Sequence, residues 1–137
     1  MSDVRIIAGP FTFAARFECA TAPKTCAWFT GVLPYRARII HVRWSGEACW
    51  IPLGELDPGL VYENATSYPA PGQLLFHPAG ISESEILLCY GACRFASKAG
   101  QLAGSPFLTM VEGLENLRPL GELTLWHGAQ QIAFSAI

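Results

Sequence analysis

Trp44 and Trp50 bracket the segment Ser45-Gly46-Glu47, and this is the part of the chain whose residue types most suggest chemistry. Two indoles beside a turn can wall a pocket and stack on a planar or cyclic ligand. Arg43 can grip a carboxylate through its bidentate fork, and Glu47 can either hold that arginine or act as a base. The competing reading is plainer: two core tryptophans, with Arg43 and Glu47 as an ordinary surface pair. A second candidate is "YGACRFASK", Tyr90 to Lys98. It leaves an apolar run, has small residues that permit close backbone approach, and offers Tyr90, Arg94, Ser97 and Lys98 on a loop. Arg94 stands out as an anchor for a carboxylate or carbonyl group. Its plainer reading is a structural corner, with Arg94 capping backbone carbonyls.

Other reactive residues suggest less. Cys89 and Cys93 have a spacing found in paired zinc ligands, but no second Cys or His pair follows at a suitable distance. His41, His77 and His127 are far apart and could meet only through folding. Buried thiols and ordinary histidines are the simpler reading, so no metal or other cofactor is expected. No local feature points to a depressed thiol pKa. Glu112 reads as a helix-start carboxylate favoured by the dipole. Gly-rich phosphate cradles and Ser-centred nucleophile elbows are absent from the sequence.

The elements that must position these groups read mostly as strands. Val4 to Ile7 and Thr12 to Phe17 form a hairpin about Gly9-Pro10; Phe13, Ala15 and Phe17 share one face, Thr12 and Arg16 the other. Thr21 can cap a helix with Pro23 in its first turn, and Ala22, Cys26, Phe29 and Leu33 recur as one apolar stripe. Gly31 and Pro34 should end that helix. Arg36 to Trp44 and Glu47 to Leu53 read as a second hairpin closed by Ser45-Gly46. Gly54 to Gly72 reads as loop with at most one short strand. Leu74 to His77, Glu85 to Tyr90, Phe107 to Glu112 and Gln131 to Ser135 complete the strands. "ILLCY" is apolar on both faces, as a central barrel strand would be. Gly91 to Ser105 reads as irregular. Helical turns are expected around Leu114, Leu117, Leu120 and Leu123, interrupted by Pro119.

The 137 residues suit one domain, 1–137, with a real core, and no repeat or linker divides them. Charged residues make up 15% against 51% hydrophobic, which excludes disorder. The net charge is −2 with scattered Lys and Arg, so no basic stripe exists to track nucleic acid. Apolar runs are too short for a membrane span. "MSDVRIIAGPFTF" has an Asp and a Gly-Pro where a secretory h-region would stand. With five cysteines, an odd count, the expectation is reduced thiols in the cytoplasm. The apolar content makes homo-oligomerisation plausible. Many short strands with few helices favour a closed barrel.

Several segments resemble known families. "APKTCAWF" resembles the first-helix motif of cyclophilins, and "VEGLE" the turn into their last helix. "LPYRARIIHVRWSGEACWIPLG", "ENATSYPAPGQLLFHPAG", "EILLCYGACRFASKAG" and "FLTMVEGLE" are more similar to a bacterial and archaeal cyclophilin-like family of unassigned function. That resemblance implies a mainly β fold, a closed barrel of about eight strands with one helix near the N-terminus and one near the C-terminus. It supplies no substrate. Arg38 matches the cyclophilin arginine best, with Arg43 as a rival. Their odd offset sends them to opposite faces of a strand, so only one can line a given cleft. The cyclophilin segment that carries the pocket's Trp and His has no counterpart between Lys98 and Glu112.

The leading functional expectation is therefore a small polar or cyclic metabolite bound beside the Trp44–Trp50 hairpin. An enzyme built this way would be a metal-free hydrolase or isomerase of an amide-like ring, with Arg43 or Arg94 stabilising oxyanion charge. A peptide-binding or prolyl-isomerase module, with Arg38 at its cleft, ranks below that. A subunit or scaffold without chemistry is the third reading.

Overall fold

The structure, a computed structural model, describes residues 2–80 and 82–137. The chain runs β1 (Val4–Ala8), β2 (Phe11–Phe17), α1 (Pro23–Val32), β3 (Tyr35–His41), β4 (Gly46–Gly54), β5 (Gln73–His77) and β6 (Ser84–Cys93). A small arm of β7 (Ala96–Ser97) and β8 (Gly100–Gln101) follows, then β9 (Ser105–Glu112), α2 (Leu117–His127) and β10 (Gln130–Ala136). Eight strands close into one antiparallel barrel in the order β1–β10–β3–β4–β6–β5–β9–β2. Closure leaves none of these eight strands with a free ladder edge.

Alternation along each strand sends one set of side chains inward. Phe13, Ile39, Ile51, Phe76, Leu88, Phe107 and Phe134 fill the interior. The helices cover opposite mouths. Phe29 of α1 enters one, edge-on to Phe107 at 5.0 Å and Phe134 at 5.2 Å between ring centroids. Phe17 and Tyr35 meet α1 at that end, whereas Gly9 and His41, at the far ends of the β1–β2 turn and β3, lie toward α2. No helix among the described residues is long and apolar enough to cross a membrane.

Local expectations fail where a distant residue decides the outcome. Thr21 does not cap α1: Ala22 holds the N-cap position without a side-chain bond, and Glu63 reaches across from the long loop instead. Its carboxylate accepts the Lys24 N–H at 3.0 Å, the Thr25 N–H at 2.8 Å and the Thr25 hydroxyl at 2.7 Å. Burial opposes ionisation of Glu63, but these hydrogen bonds overcome it and hold its pKa below the ordinary value. Gly31 lies inside α1, which ends at Val32. Pro119 falls in the first turn of α2, where no intrahelical N–H bond is lost, so the helix continues through it. Between Gly54 and Gly72 only an isolated bridge forms, Thr66 with Gly104.

The Trp44 region also departs from the expected two-residue hairpin. β3 stops at His41, and Arg43–Ser45 form a turn of 3₁₀ helix before β4 begins. Gly46 makes this possible. Its φ is +99°, and a Cβ there would stand 2.7 Å from the Ala92 carbonyl oxygen. β6 continues past Tyr90 to Cys93 through a bulge, in which the step Gly46 to Ala48 opposes the longer step Cys93 to Cys89. Gly91 to Ser105, expected to be irregular, contains the β7–β8 arm.

Candidate functional site

A second apolar cluster lies on the outside of the barrel. β4, β6 and β5 are neighbours, and directly paired residues share a face. Trp50 pairs with Leu87 and Leu87 with Leu75; one step along, Pro52 pairs with Glu85 and Glu85 with His77. Val42, Ala48, Leu75, Leu87, Phe95 and Leu102 bury one another there, with Trp50 packed against them. The arm carries Phe95 and Leu102 over the sheet, held by Leu102 N–H to Phe95 O at 3.0 Å. This explains why "ILLCY" is apolar on both faces: the barrel core covers one side and the arm covers the other.

The row ends in a cleft of about 330 Å³ lined by Trp44, Trp50, Ser82, Glu83, Glu85, Ser97 and Lys98. The two indoles stand edge to face, centroids 6.4 Å apart. Trp44 is 53% exposed on its turn, while Trp50 is half-buried on the strand. The Ser45 hydroxyl fixes the turn to the arm, donating to Ala96 O at 2.9 Å and accepting from Ala96 N–H at 3.0 Å. Arg94 N–H donates to Ser45 O at 3.0 Å. Trp44 and Ser97 are thereby brought to the same opening.

Glu85 is the chemically unusual member. It is 2% exposed, yet it lines the cleft. Burial pushes its pKa up from the ordinary 4.5 to about 8, and the adjacent Glu83 charge adds to the rise. Beside it His77, 1% exposed, has Nδ1 2.8 Å from the Ala103 carbonyl and its ring edge-on to Phe95. A carbonyl only accepts, so Nδ1 carries the proton. His77 Nε2 is buried and lacks a partner among the described residues.

A second cleft of about 400 Å³ opens on the other side of the turn, lined by Arg43, Gly46, Glu47, Tyr90, Glu122, Leu125 and Trp126. Glu47 does not pair with Arg43. It accepts both Arg118 amino groups, at 2.9 and 3.2 Å, and the Ala92 N–H at 2.8 Å. The Arg118 hydrogen bonds, followed by that of Ala92, hold its carboxyl at about 2. Arg118 also lies over the Tyr90 ring, 5.5 Å from its centroid. The Tyr90 hydroxyl is 2.7 Å from His41 Nε2. Burial and the nearby Arg43 lower the His41 pKa.

The residues singled out from sequence therefore divide. Trp44, Trp50 and Ser97 meet in the indole cleft; Arg43, Glu47 and Tyr90 meet in the other. Tyr90 belongs to β6 and not to the loop after it. Arg94 is exposed, with its main chain anchored to the turn, and lines neither cleft. Arg38 is exposed on β3, paired in register with Gln131, and also lines neither. All five cysteines are free thiols; the β6 bulge brings Cys93 against Cys89, whose pKa the Cys93 hydrogen bond lowers. His77 and His41 belong to different clusters, on the outer wall and beside α2.

A family model described as "Protein of unknown function (DUF3830)" matches residues 4–136. The chain belongs to this DUF3830 family. No curated protein matches it by sequence. Among solved structures, McbB in complex with tryptophan is similar, with a TM-score of 0.70 at 21% identity. That match covers 96% of this chain and 44% of McbB, so the chain spans less than half of McbB's length. A hypothetical protein from Archaeoglobus fulgidus has a TM-score of 0.66 at 14% identity, covering 99% of this chain and 95% of that one. A cyclophilin-type peptidyl-prolyl cis-trans isomerase from Cryptosporidium parvum has a TM-score of 0.60 at 17% identity, covering 99% and 97%. At such identities the likeness carries the fold alone, and the DUF3830 chain is a closed cyclophilin-like barrel with two helices.

Sequence reasoning missed Glu85 and Glu83 as cleft residues, and Arg118 as the partner of Glu47. Glu85 carried a usable signal, since a lone carboxylate opening a run buried on both faces is costly unless it serves something. Arg118 carried none, because only folding places α2 beside β4.

Proposed function

We propose that this chain binds a small planar or cyclic molecule in the cleft between the Trp44–Trp50 indoles and Glu85. The observation that carries the reading is the Glu85 carboxyl, buried on the wall of an aromatic cleft. Its volume, about 330 Å³, falls within the range of small-ligand sites. McbB, a barrel neighbour solved in complex with tryptophan, supports a ligand of aromatic amino-acid size. Ser97 and Lys98 supply polar groups at the rim. Arg43, Glu47 and Tyr90 line the adjoining cleft, where a longer ligand extending past Trp44 would meet them.

Of the hydrolysis and isomerisation expected from sequence, the lining favours isomerisation. Neither Arg43 nor Arg94 lines the indole cleft to steady an oxyanion, whereas a carboxyl that keeps its proton near neutral pH can give one up and take it back. A prolyl-isomerase reading has only the fold likeness behind it, with Arg38 outside both clefts.

The test is a thermal-shift and fluorescence screen of cyclic amides, hydantoin-like rings and amino acids including tryptophan. At least one compound is expected to stabilise the wild type and to bind about ten-fold more weakly to Trp44→Ala. Arg94→Ala in the same screen distinguishes an arginine anchor from the indole cleft. A panel without a stabilising compound, or hits indifferent to Trp44→Ala, would overturn the reading.

A further inference from the structure

The groups around Glu85 have a common chemical bias. Its own approach supplies Glu83; β5, paired with it in register, supplies His77; the arm supplies Lys98; the turn and β4 supply the faces of Trp44 and Trp50. The two carboxyls are acceptors, and indole faces attract cations. Among the described residues Lys98 is the one cationic side chain of the lining, and it lies on the exposed rim. Among the described lining residues, positive charge with N–H donors is offered only at that rim.

We propose that the ligand of this cleft is an organic ammonium, carried on a ring or beside one, and that Glu85 becomes its counterion by releasing a proton as the ligand binds. This rests on the small-molecule reading above and narrows it to a chemical class. The indoles hold the ring and screen the pair from water, while Lys98 is placed for a carboxylate if the ligand has one. No bond to carbon changes: the Glu85 proton leaves to solvent, and the carboxylate that remains pairs with the cation. Free Glu85 holds its proton up to about pH 8. The cation must therefore displace that proton at neutral pH, and binding tightens as pH rises toward that value.

Calorimetry tests this with phenethylamine, its neutral analogue 2-phenylethanol and its anionic analogue 3-phenylpropionate. Each is titrated at pH 6.5 and pH 8.5, in two buffers of different ionisation enthalpy. Phenethylamine is expected to bind about ten-fold tighter or more at pH 8.5 and, at pH 6.5, to release close to one proton per site. The alcohol should show neither effect, and the anion should bind weakest. Glu85→Gln should remove both the pH dependence and the proton release. Because proton release is counted on the wild type, the conclusion does not depend on that variant folding. Equal binding of amine and alcohol, without proton release, would overturn the ammonium assignment while leaving a ring site intact. No binding of either compound at any pH would overturn the assignment, and the screen described above then decides separately whether the cleft holds other rings.

Discussion

Glu85 concentrates the unusual energetics of the outer wall in one side chain. Its pKa stands near 8 in the folded protein against an ordinary 4.5, so the folded state holds a proton that the unfolded chain has released across that interval. The stability contributed by the neutral form is fully present below about pH 4.5 and is lost as pH rises through about 8. Glu85→Gln, which cannot ionise, should thus match the wild type at pH 5 and exceed its Tm by about 3 °C or more at pH 9. Differential scanning calorimetry at the two pH values checks this, and an equal offset at both would show that ionisation plays no part. Glu47 behaves in the opposite way. Arg118 and Ala92 hold its carboxyl near 2, so its stabilising contribution is present above the ordinary carboxylate range and disappears only in strong acid.

At the scale of elements, the turn carrying Trp44 depends on Gly46. Gly46→Ala would add both a left-handed backbone penalty and a clash with the Ala92 carbonyl, and is expected to cost about 2 kcal/mol or more in urea unfolding. The near-UV circular dichroism of the Trp44–Trp50 pair should weaken with it; an unchanged signal would mean the turn tolerates a side chain. Glu63→Ala should cost about 1–2 kcal/mol by uncapping α1, although Glu63 is distant from that helix in sequence. These two sites show where the sequence was legible and where it was not. The apolar stripe Ala22, Cys26, Phe29 announced α1, and alternation announced the strands, because those signals are local. The cap of α1, the 3₁₀ turn at Arg43–Ser45 and the bulge ending β6 depend on partners dozens of residues away. Residue type alone singled out Trp44, Trp50 and Ser97, which the fold brings to one cleft. Glu85 was overlooked because a carboxylate opening a strand normally faces water.

For the whole molecule, barrel closure around one core leaves a second core outside it, and the cleft exists because the arm covers that outer cluster. Phe95 is the arm's main anchor, fully buried against Leu75, Leu87 and the His77 ring. Phe95→Ala is expected to cost about 3–5 kcal/mol and to red-shift tryptophan emission as Trp50 gains water. The barrel core, with Phe29, Phe76, Phe107 and Phe134, should keep the far-UV spectrum of a folded protein. The most direct measurement of the cleft itself uses the four indole N–H resonances of ¹⁵N-labelled protein, Trp28, Trp44, Trp50 and Trp126, during titration with phenethylamine at pH 8.5. Saturable shifts of Trp44 and Trp50, with Trp28 and Trp126 unmoved, are the expected result. Shifts centred on Trp126 and the Arg43–Glu47 cleft, or no shift of any indole, would contradict a ligand site at Trp44, Trp50 and Glu85.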